Sequence, residues 1–267
     1  MKTRKVDLEK LFKIYDHPAA VLFRAIELNA IYKLTKDIEF SNASLDLGCG
    51  DGVISELLFD KRFMYGVDNG EANDVDIAIQ NNRYQKTLLE SAEKMSLKDN
   101  SVDFVFSNSV IEHIPNNEAV LSEISRILKP NGYLLFSSPT KMFGKFLFVT
   151  NLLNKLGLHF LANLYERKRN KMLNHYHILD YETYKKRLEK HGLKIERYTY
   201  CVSKETLKLW DIITVISYIC KLLKFNINKI LTTSLRSLIQ NKVDTDSNNT
   251  KTGTLQGNLI ILARKSK

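Results

Sequence analysis

A short segment with three closely spaced glycines, Leu45-Asp46-Leu47-Gly48-Cys49-Gly50-Asp51-Gly52, most narrows the folds open to this chain. It continues an apolar run over residues 43–47 that is typical of a buried parallel strand. A helical pattern over residues 53–59 follows. Glycine adopts backbone torsions closed to other residues and lets a ligand approach the main chain. A strand that passes through such a loop into a helix indicates an α/β fold with a nucleotide-like ligand at the carboxyl edge of its sheet.

The same alternation of strand and helix recurs along the chain. Helical spacing predicts two helices before the first strand, over residues 7–15 and 19–33. Later strands are predicted over residues 63–67, 84–89, 102–107, 133–137, 194–202 and 258–263, and later helices over residues 75–82, 118–128 and 181–191. Lys129-Pro130-Asn131-Gly132 is predicted to be a turn, and the polar residues 241–253 a loop. The pattern favours a parallel sheet with helices on both faces.

The spacing of the glycines indicates which of two kinds of nucleotide-binding site the loop could form. A pyrophosphate-binding loop has the pattern Gly-x-Gly-x-x-Gly, but Val53 stands where its third glycine would be. The chain has Gly-x-Gly-x-Gly instead, and Asp68 ends the second predicted strand about 20 residues on, where an acid can bind ribose hydroxyls. This spacing weakens the case for a nicotinamide-dependent dehydrogenase.

Over roughly residues 40–140 the chain resembles the class I S-adenosylmethionine-dependent methyltransferases, especially the type 11 small-molecule group. Besides the glycine loop and Asp68, the resemblance lies in residues 91–95, residues 103–113 and the Lys-Pro-Asn-Gly turn. It implies a Rossmann-like seven-stranded mixed α/β sheet whose last strand is antiparallel. The cofactor it implies is S-adenosyl-L-methionine, bound by Asp46, Gly48, Cys49, Gly50, Asp68, Asn69, Ala92, Glu93, Asn108 and Ser109.

Two sets of histidines are candidates for chemistry. Methyl transfer from a sulfonium is an in-line displacement that depends mainly on alignment, and a general base helps only a protonated acceptor. His113, after the fourth strand, is the first base candidate, although we favour its interpretation as a structural histidine at a loop–helix junction, because alignment alone can drive the reaction. His175, Tyr176 and His177 form a second candidate set before a helix, and their His-x-His pattern could bind metal but has no third ligand nearby in the sequence. We therefore predict no metal site and no metal dependence.

Charge and apolar residues set the second half of the chain apart. Residues 1–140 carry 16 Lys and Arg against 21 Asp and Glu, a net charge of −5, whereas residues 141–267 carry 24 against 9, a net charge of +15. Apolar, basic insertions follow the fifth and sixth strands at residues 143–171 and 204–239. Both connections leave the carboxyl edge of the sheet, so we expect a helical cap at the mouth of the cofactor cleft. Such a cap could cover an apolar or anionic substrate or contact a membrane surface, or it could be ordinary packed core.

The predicted layout is one methyltransferase domain with N-terminal helices (1–40), a cofactor-binding core (41–140) and cap insertions (141–180 and 204–254). Neither a secretory signal nor a stretch of about 20 apolar residues is apparent, and three unpaired cysteines favour the cytosol, with or without peripheral membrane contact. The expected activity is methylation of a small molecule, a class that includes lipids and lipid-linked glycan intermediates. An RNA methyltransferase and a non-catalytic S-adenosylmethionine-binding protein are the alternatives.

Overall fold

A computed structural model describes residues 1–70, 74–224, 234–248 and 255–267. Its strands are β1 (Ser44–Leu47), β2 (Tyr65–Asp68), β3 (Lys86–Leu89), β4 (Val102–Asn108), β5 (Leu128–Pro139), β6 (Leu193–Cys201) and β7 (Asn258–Lys265). They form one sheet in the order β3-β2-β1-β4-β5-β7-β6. Neighbours from β3 to β5 run parallel, and β7 is antiparallel to both β5 and β6. The predicted seven-stranded mixed sheet is confirmed.

Helices cover both faces of this sheet. They are α1 (Leu8–Ile14), α2 (Pro18–Thr35), α3 (Val53–Leu58), α4 (Val75–Gln80), α5 (Asn117–Ile127), α6 (Met142–Phe146), α7 (Phe148–Lys155), α8 (His159–Met172), α9 (Tyr181–Lys190), α10 (Lys204–Leu222) and α11 (Arg236–Asn248), with a 3₁₀ helix at Ile111–His113. Side chains alternate between the two faces of a strand. Phe104 and Phe106 of β4 therefore join the core beneath α2, whereas Val105 joins the core beneath α5 and α9.

Two local predictions were wrong. The Lys-Pro-Asn-Gly segment lies within β5 rather than in a turn before it, and the pairing with β4 shifts register between Val102 and Phe104 to accommodate it. Asn131 takes the left-handed conformation there, with a φ of 67°. Residues 241–248 of the predicted polar loop belong to α11, which packs on α2 and buries Ile239 and Val243. Residues 249–253 lie outside the described part of the chain.

A buried carboxylate holds α2 against the carboxyl ends of the central strands. Glu27 is fully buried and forms an ion pair with Arg24, one turn earlier, at 2.5 Å. Its Oε1 accepts hydrogen bonds from the Ser109 hydroxyl (3.0 Å), the Ser137 hydroxyl (2.9 Å) and the Asn258 amide (2.8 Å). One side chain therefore joins α2 to the ends of β4 and β5 and to the start of β7.

The segments after β5 and β6 form a helical cap at this same edge. Helix α7 packs against α8 and α10, and α6 contacts all three. Asp211 of α10 is fully buried and accepts hydrogen bonds from the Tyr165 hydroxyl (2.7 Å) and the Val149 amide (3.1 Å). The predicted cap is thus present in its described part, while residues 225–233 lie outside that part. No helix in the described ranges combines the length and apolarity needed to cross a bilayer.

Replacing the buried carboxylate should destabilise the protein in a pH-dependent way. Burial raises the pKa of Glu27, but Arg24 and the hydrogen bonds from Ser137 and its neighbours outweigh burial and hold that pKa below its usual 4.5. Glu27→Gln leaves Arg24 without its counterion, so we expect a loss of about 3–5 kcal/mol in the free energy of unfolding at neutral pH. Urea denaturation measures this loss.

The sign of the pH effect follows from the depressed pKa. Below about pH 4.5 Glu27 takes up a proton in the unfolded state, whereas in the folded state its lower pKa keeps it ionised. The contribution of Glu27 to the free energy of unfolding is therefore complete above about pH 4.5 and decreases as the pH falls. The gap between wild type and Glu27→Gln should narrow accordingly. The exposed Glu189→Gln on α9 is the matched control and should change stability little. Equal losses for both variants, or a gap independent of pH, would contradict this role.

Candidate active site

The glycine loop turns at the carboxyl end of β1, as predicted. Gly48 donates its amide to the carbonyl of Val67 at 2.8 Å, which ties the loop to β2. The amide of Gly50 donates to Oδ2 of Asp68, and the amide of Gly70 donates to Oδ1, each at 3.0 Å. The carboxylate of Asp68 therefore lies between the loop and the chain leaving β2, partly exposed.

Two glycines in the loop have different reasons to be glycine. Both adopt a positive φ, 71° at Gly48 and 46° at Gly50. A Cβ on Gly48 would lie 2.4 Å from the side chain of Val110, so β4's exit packs directly on the loop. A Cβ on Gly50 would meet nothing within 4 Å. The loop is therefore closed toward Val110 and open above Gly50, beside Asp68.

Asp46 lies buried in β1, just before the loop. It is 4% exposed, and its Oδ2 accepts a hydrogen bond of 2.6 Å from the hydroxyl of Tyr84. That hydroxyl also lies 2.9 Å from the hydroxyl of Ser55. Burial raises the pKa of Asp46 to about 6, although the hydrogen bond from Tyr84 opposes the rise. The partners of Asp46 within the fold are thus side chains of the β3 and α3 regions.

The remaining predicted cofactor residues divide between the surface and the interior. Asn69 and Glu93 are exposed and Ala92 is half-buried, along the chain that leaves β2 and β3. Cys49 is buried in the loop, and burial raises the pKa of its thiol. Asn108 and Ser109 end β4 within the Glu27 network, where Arg24 donates to both at 3.1 and 3.2 Å. The fold therefore gathers the predicted residues along the carboxyl ends of β1 to β4.

A cavity of about 430 Å³ adjoins this edge, between α2, the 3₁₀ helix and the cap. Its walls include Phe23 and Arg24 of α2, Glu112 and His113 after β4, Phe143 of α6 and Trp210 of α10. Phe143 packs edge-on against both Phe23 and Trp210. The cavity is thus aromatic on the side of the cap and polar on the side of β4.

Three polar side chains meet in the wall nearest β4. Glu112 is 1% exposed, and burial raises its pKa to about 8. His113 follows it, and Nδ1 of His113 lies 3.0 Å from the carbonyl of Asn174. His175 packs beside His113 with ring centroids 5.4 Å apart, and burial lowers its pKa to about 4. The sequence places no third group near His175 and His177, but the fold brings Glu112 and His113 to His175.

His177 belongs to a different environment. Its Nε2 lies 2.7 Å from the carbonyl of Pro115, just after the 3₁₀ helix. The two histidines of the His-x-His pattern therefore do not act as a pair, and only His175 lines the cavity.

Sequence reasoning predicted the cap but missed the contribution of α2 and the individual cap side chains that line the cavity. Arg24 and Glu27 lie within the predicted helix over residues 19–33. A charged pair one turn apart inside an otherwise apolar stretch is the signal that could have identified them as part of the site. Phe143 and Trp210 fall within the two predicted apolar insertions. Nothing in the sequence indicated that they would face each other across one cavity, because this depends on how the cap folds back.

The central part of the chain matches a known protein family in sequence. Residues 45–136 match the family model described as a methyltransferase domain. A ubiquinone biosynthesis O-methyltransferase of Vibrio atlanticus is 26% identical over 156 residues, which cover 55% of this chain and 62% of that protein. The matched parts of the next two curated relatives are shorter, at 38% and 48% of their lengths. The chain thus spans about half the length of these relatives.

Solved structures with low sequence identity share the architecture. An S-adenosylmethionine-dependent methyltransferase of Thermotoga maritima superposes with a TM-score of 0.58 at 19% identity, covering 97% of this chain and 94% of the other. Phosphoethanolamine N-methyltransferase 2 of Haemonchus contortus, in complex with S-adenosyl-L-methionine, gives a TM-score of 0.54 at 18% identity, covering 98% of this chain and 60% of the other. Residues 45–136 therefore match the methyltransferase domain family, and the chain as a whole has the α/β fold of these solved methyltransferases.

Proposed function

We propose that the protein transfers the methyl group of S-adenosylmethionine to a small molecule bound in the cavity beneath the cap. One observation carries this proposal: the segment that follows β4 both packs on the glycine loop and lines the cavity. The side chain of Val110 packs on Gly48, while Ser109 before it and Glu112 after it line the cavity. A cofactor on the loop and an acceptor in the cavity would therefore be separated only by the end of β4.

The residues at the loop fit the cofactor. The space above Gly50 would admit the ligand against the backbone, and the partly exposed carboxylate of Asp68 beside it would accept hydrogen bonds from ribose hydroxyls. Asn69 follows β2, and Ala92 and Glu93 follow β3; the adenine would lie against these residues. Bound there, S-adenosylmethionine would supply a methyl group that its sulfonium charge already activates for displacement.

The chain's own contribution is alignment and exclusion of water. The aromatic walls formed by Phe23, Phe143 and Trp210 would hold an acceptor against the end of β4 and keep solvent out, which favours an in-line reaction. His113 lines the cavity, and the lone pair on its Nε2 could take a proton from a hydroxyl acceptor. Arg24 could hold an anionic group of the acceptor.

The alternatives differ in what the cavity and the basic surface would do. An RNA methyltransferase would use the basic second half to bind phosphates, but large apolar side chains lie between these basic residues on α8 and α10. A non-catalytic binding protein would keep the cofactor site and need no acceptor. Methyl transfer to a small molecule uses both the loop and the cavity, and this favours it.

Loss of the β2 carboxylate should weaken cofactor binding. Calorimetry with S-adenosylmethionine and S-adenosylhomocysteine should show binding of both to the wild type. Asp68→Ala removes the ribose acceptor, and we expect about 1–3 kcal/mol weaker binding, roughly 5- to 150-fold. Asp76→Ala, an exposed carboxylate on α4, is the control and should bind like wild type. Equal affinities for the two variants would remove Asp68 from the site, and a wild type that binds neither ligand would overturn the proposed cofactor.

We also propose that the outer face of the cap contacts anionic membranes. Large apolar side chains are exposed on α7, on α8 and on the linker between them: Phe148, Leu152, Leu156, Leu158, Phe160, Leu161 and Leu164. A second group lies at the end of α10: Ile216, Tyr218, Ile219, Leu222 and Leu223. Exposed Lys155, Lys168 and Lys171 accompany the first group, and Lys221 and Lys224 the second.

This combination fits a bilayer surface better than another protein. Apolar side chains would enter the boundary of the acyl chains while lysines met anionic headgroups, each lysine adding about 1 kcal/mol near the surface. Leu173 and Trp210, which line the cavity, belong to the same cap. A docked cap would therefore bring the cavity close to the lipid, as an apolar acceptor would require.

Vesicle co-sedimentation tests this contact. We expect the protein to sediment with anionic phosphatidylglycerol vesicles at low salt, less so at high salt, and weakly with neutral phosphatidylcholine vesicles. Replacing Phe160, which is 78% exposed, and Leu161 by Ser should reduce sedimentation without destabilising the fold. The matched control is Ile77→Ser on α4, exposed on another part of the molecule. Protein that stays in the supernatant under all conditions, or equal loss in the control, would contradict the membrane contact.

A further inference from the structure

The polar wall of the cavity has the composition of a metal site. Glu112, His113 and His175 each offer one ligand atom, and the three atoms lie within 4.8 Å of one another. Two residues come from the 3₁₀ helix after β4 and the third from the turn after α8, 62 positions later. Two histidines and one carboxylate are a common ligand set for catalytic zinc and for non-haem iron, and both leave coordination positions open.

Backbone hydrogen bonds hold the two ligand-bearing segments together. The carbonyl of Glu112 accepts hydrogen bonds from the amides of Tyr176 (2.9 Å) and His177 (3.1 Å). The turn that carries His175 is therefore attached to the same residue that supplies the carboxylate. This arrangement fixes the separation of the ligands before any ion binds, which lowers the entropic cost of binding.

The tautomer of His113 suits coordination. Its Nδ1 faces the carbonyl of Asn174 at 3.0 Å, and a carbonyl only accepts, so Nδ1 carries the proton. The lone pair is then on Nε2, which lies 3.8 Å from Oε1 of Glu112. Histidines that bind metals commonly donate their other ring nitrogen to a backbone carbonyl in this way.

Two atoms of the cluster lack a hydrogen-bond partner. Among the described residues, Oε2 of Glu112 and Nδ1 of His175 are buried and have none. Glu112 is 1% exposed and lines the cavity. Unsatisfied groups of this kind are costly in a folded protein and call for an explanation. A cation bound by Glu112 and His175 would offer both side chains a partner.

We propose that Glu112, His113 and His175 bind one divalent transition-metal ion, of which Zn²⁺ is the prime candidate. The ion would face the cavity, where an open coordination position could take an oxygen of the acceptor and favour its deprotonated form. Acceptor coordination rests on the proposed methyl transfer, but binding of the ion does not. The Nε2 lone pair of His113 would bind the ion, so His113 would act as a ligand and not as a general base.

Titration of the chelator-treated protein with Co²⁺ and with Zn²⁺ tests the site. We expect saturable one-to-one binding by calorimetry and visible Co²⁺ absorption typical of nitrogen and oxygen ligands at low coordination number. His175→Ala and Glu112→Gln should each weaken binding by roughly 100-fold or more, given the 10- to 100-fold cost of losing even an outer-shell partner. His177→Ala, in the same turn with its side chain bonded to Pro115, should bind like wild type.

Two further measurements separate the explanations. Zn²⁺ should raise the melting temperature of the wild type and of His177→Ala but not of His175→Ala, which shows whether each variant is folded and binds. S-adenosylhomocysteine binding should be unchanged in His175→Ala, so a failed cofactor site and a failed metal site give different results. Absence of one-to-one binding to the wild type, or equal affinity in His175→Ala and His177→Ala, would overturn the proposal.

Discussion

The shape of the site depends on the ion pair and hydrogen bonds of the buried Glu27 carboxylate. It lies where α2 crosses the carboxyl ends of the central strands and binds groups from β4, β5 and β7 together with Arg24 of its own helix. A charge so deeply buried is tolerated only when it is paired and fully hydrogen-bonded. The contacts that satisfy it also fix α2 as one wall of the cavity. Stability of the fold and geometry of the cavity are therefore set by the same group.

The carboxyl edge of the sheet brings three functional regions together. The glycine loop and Asp68 occupy the β1–β2 part of this edge, the polar wall with Glu112 and His113 follows β4, and the cap rises from β5 and β6. Parallel strands place their exits on one side, so residues far apart in the chain meet there. The cap adds aromatic walls on its inner side and apolar, basic groups on its outer side. The proposed sites for cofactor, acceptor and lipid thus adjoin one another along one edge of the sheet.

Local sequence was a good guide wherever a short segment determines its own structure. The loop from Leu45 to Gly52 and Asp68 at the end of β2 were identified correctly, because glycine torsions and buried apolar runs are local properties. The polar sequence of residues 241–248 misled the prediction, because Ile239 and Val243 gain their helical conformation from packing on α2. The Lys-Pro-Asn-Gly segment misled it for a related reason: its flanking residues Leu128 and Tyr133 both pair with β4, which keeps the segment within β5.

By itself, the sequence determined the class of fold, the positions of the strands along the chain and the loop at which the cofactor would bind. Only the tertiary structure decided which polar groups come together. Glu27 accepts a hydrogen bond from Ser109. His175 lies close to Glu112 and His113, whereas the side chain of His177 contacts Pro115 instead. The physical reason is distance along the chain. A motif of eight residues carries its own conformational preferences, whereas a contact across 62 or 82 residues exists only after sheet, helices and cap have packed.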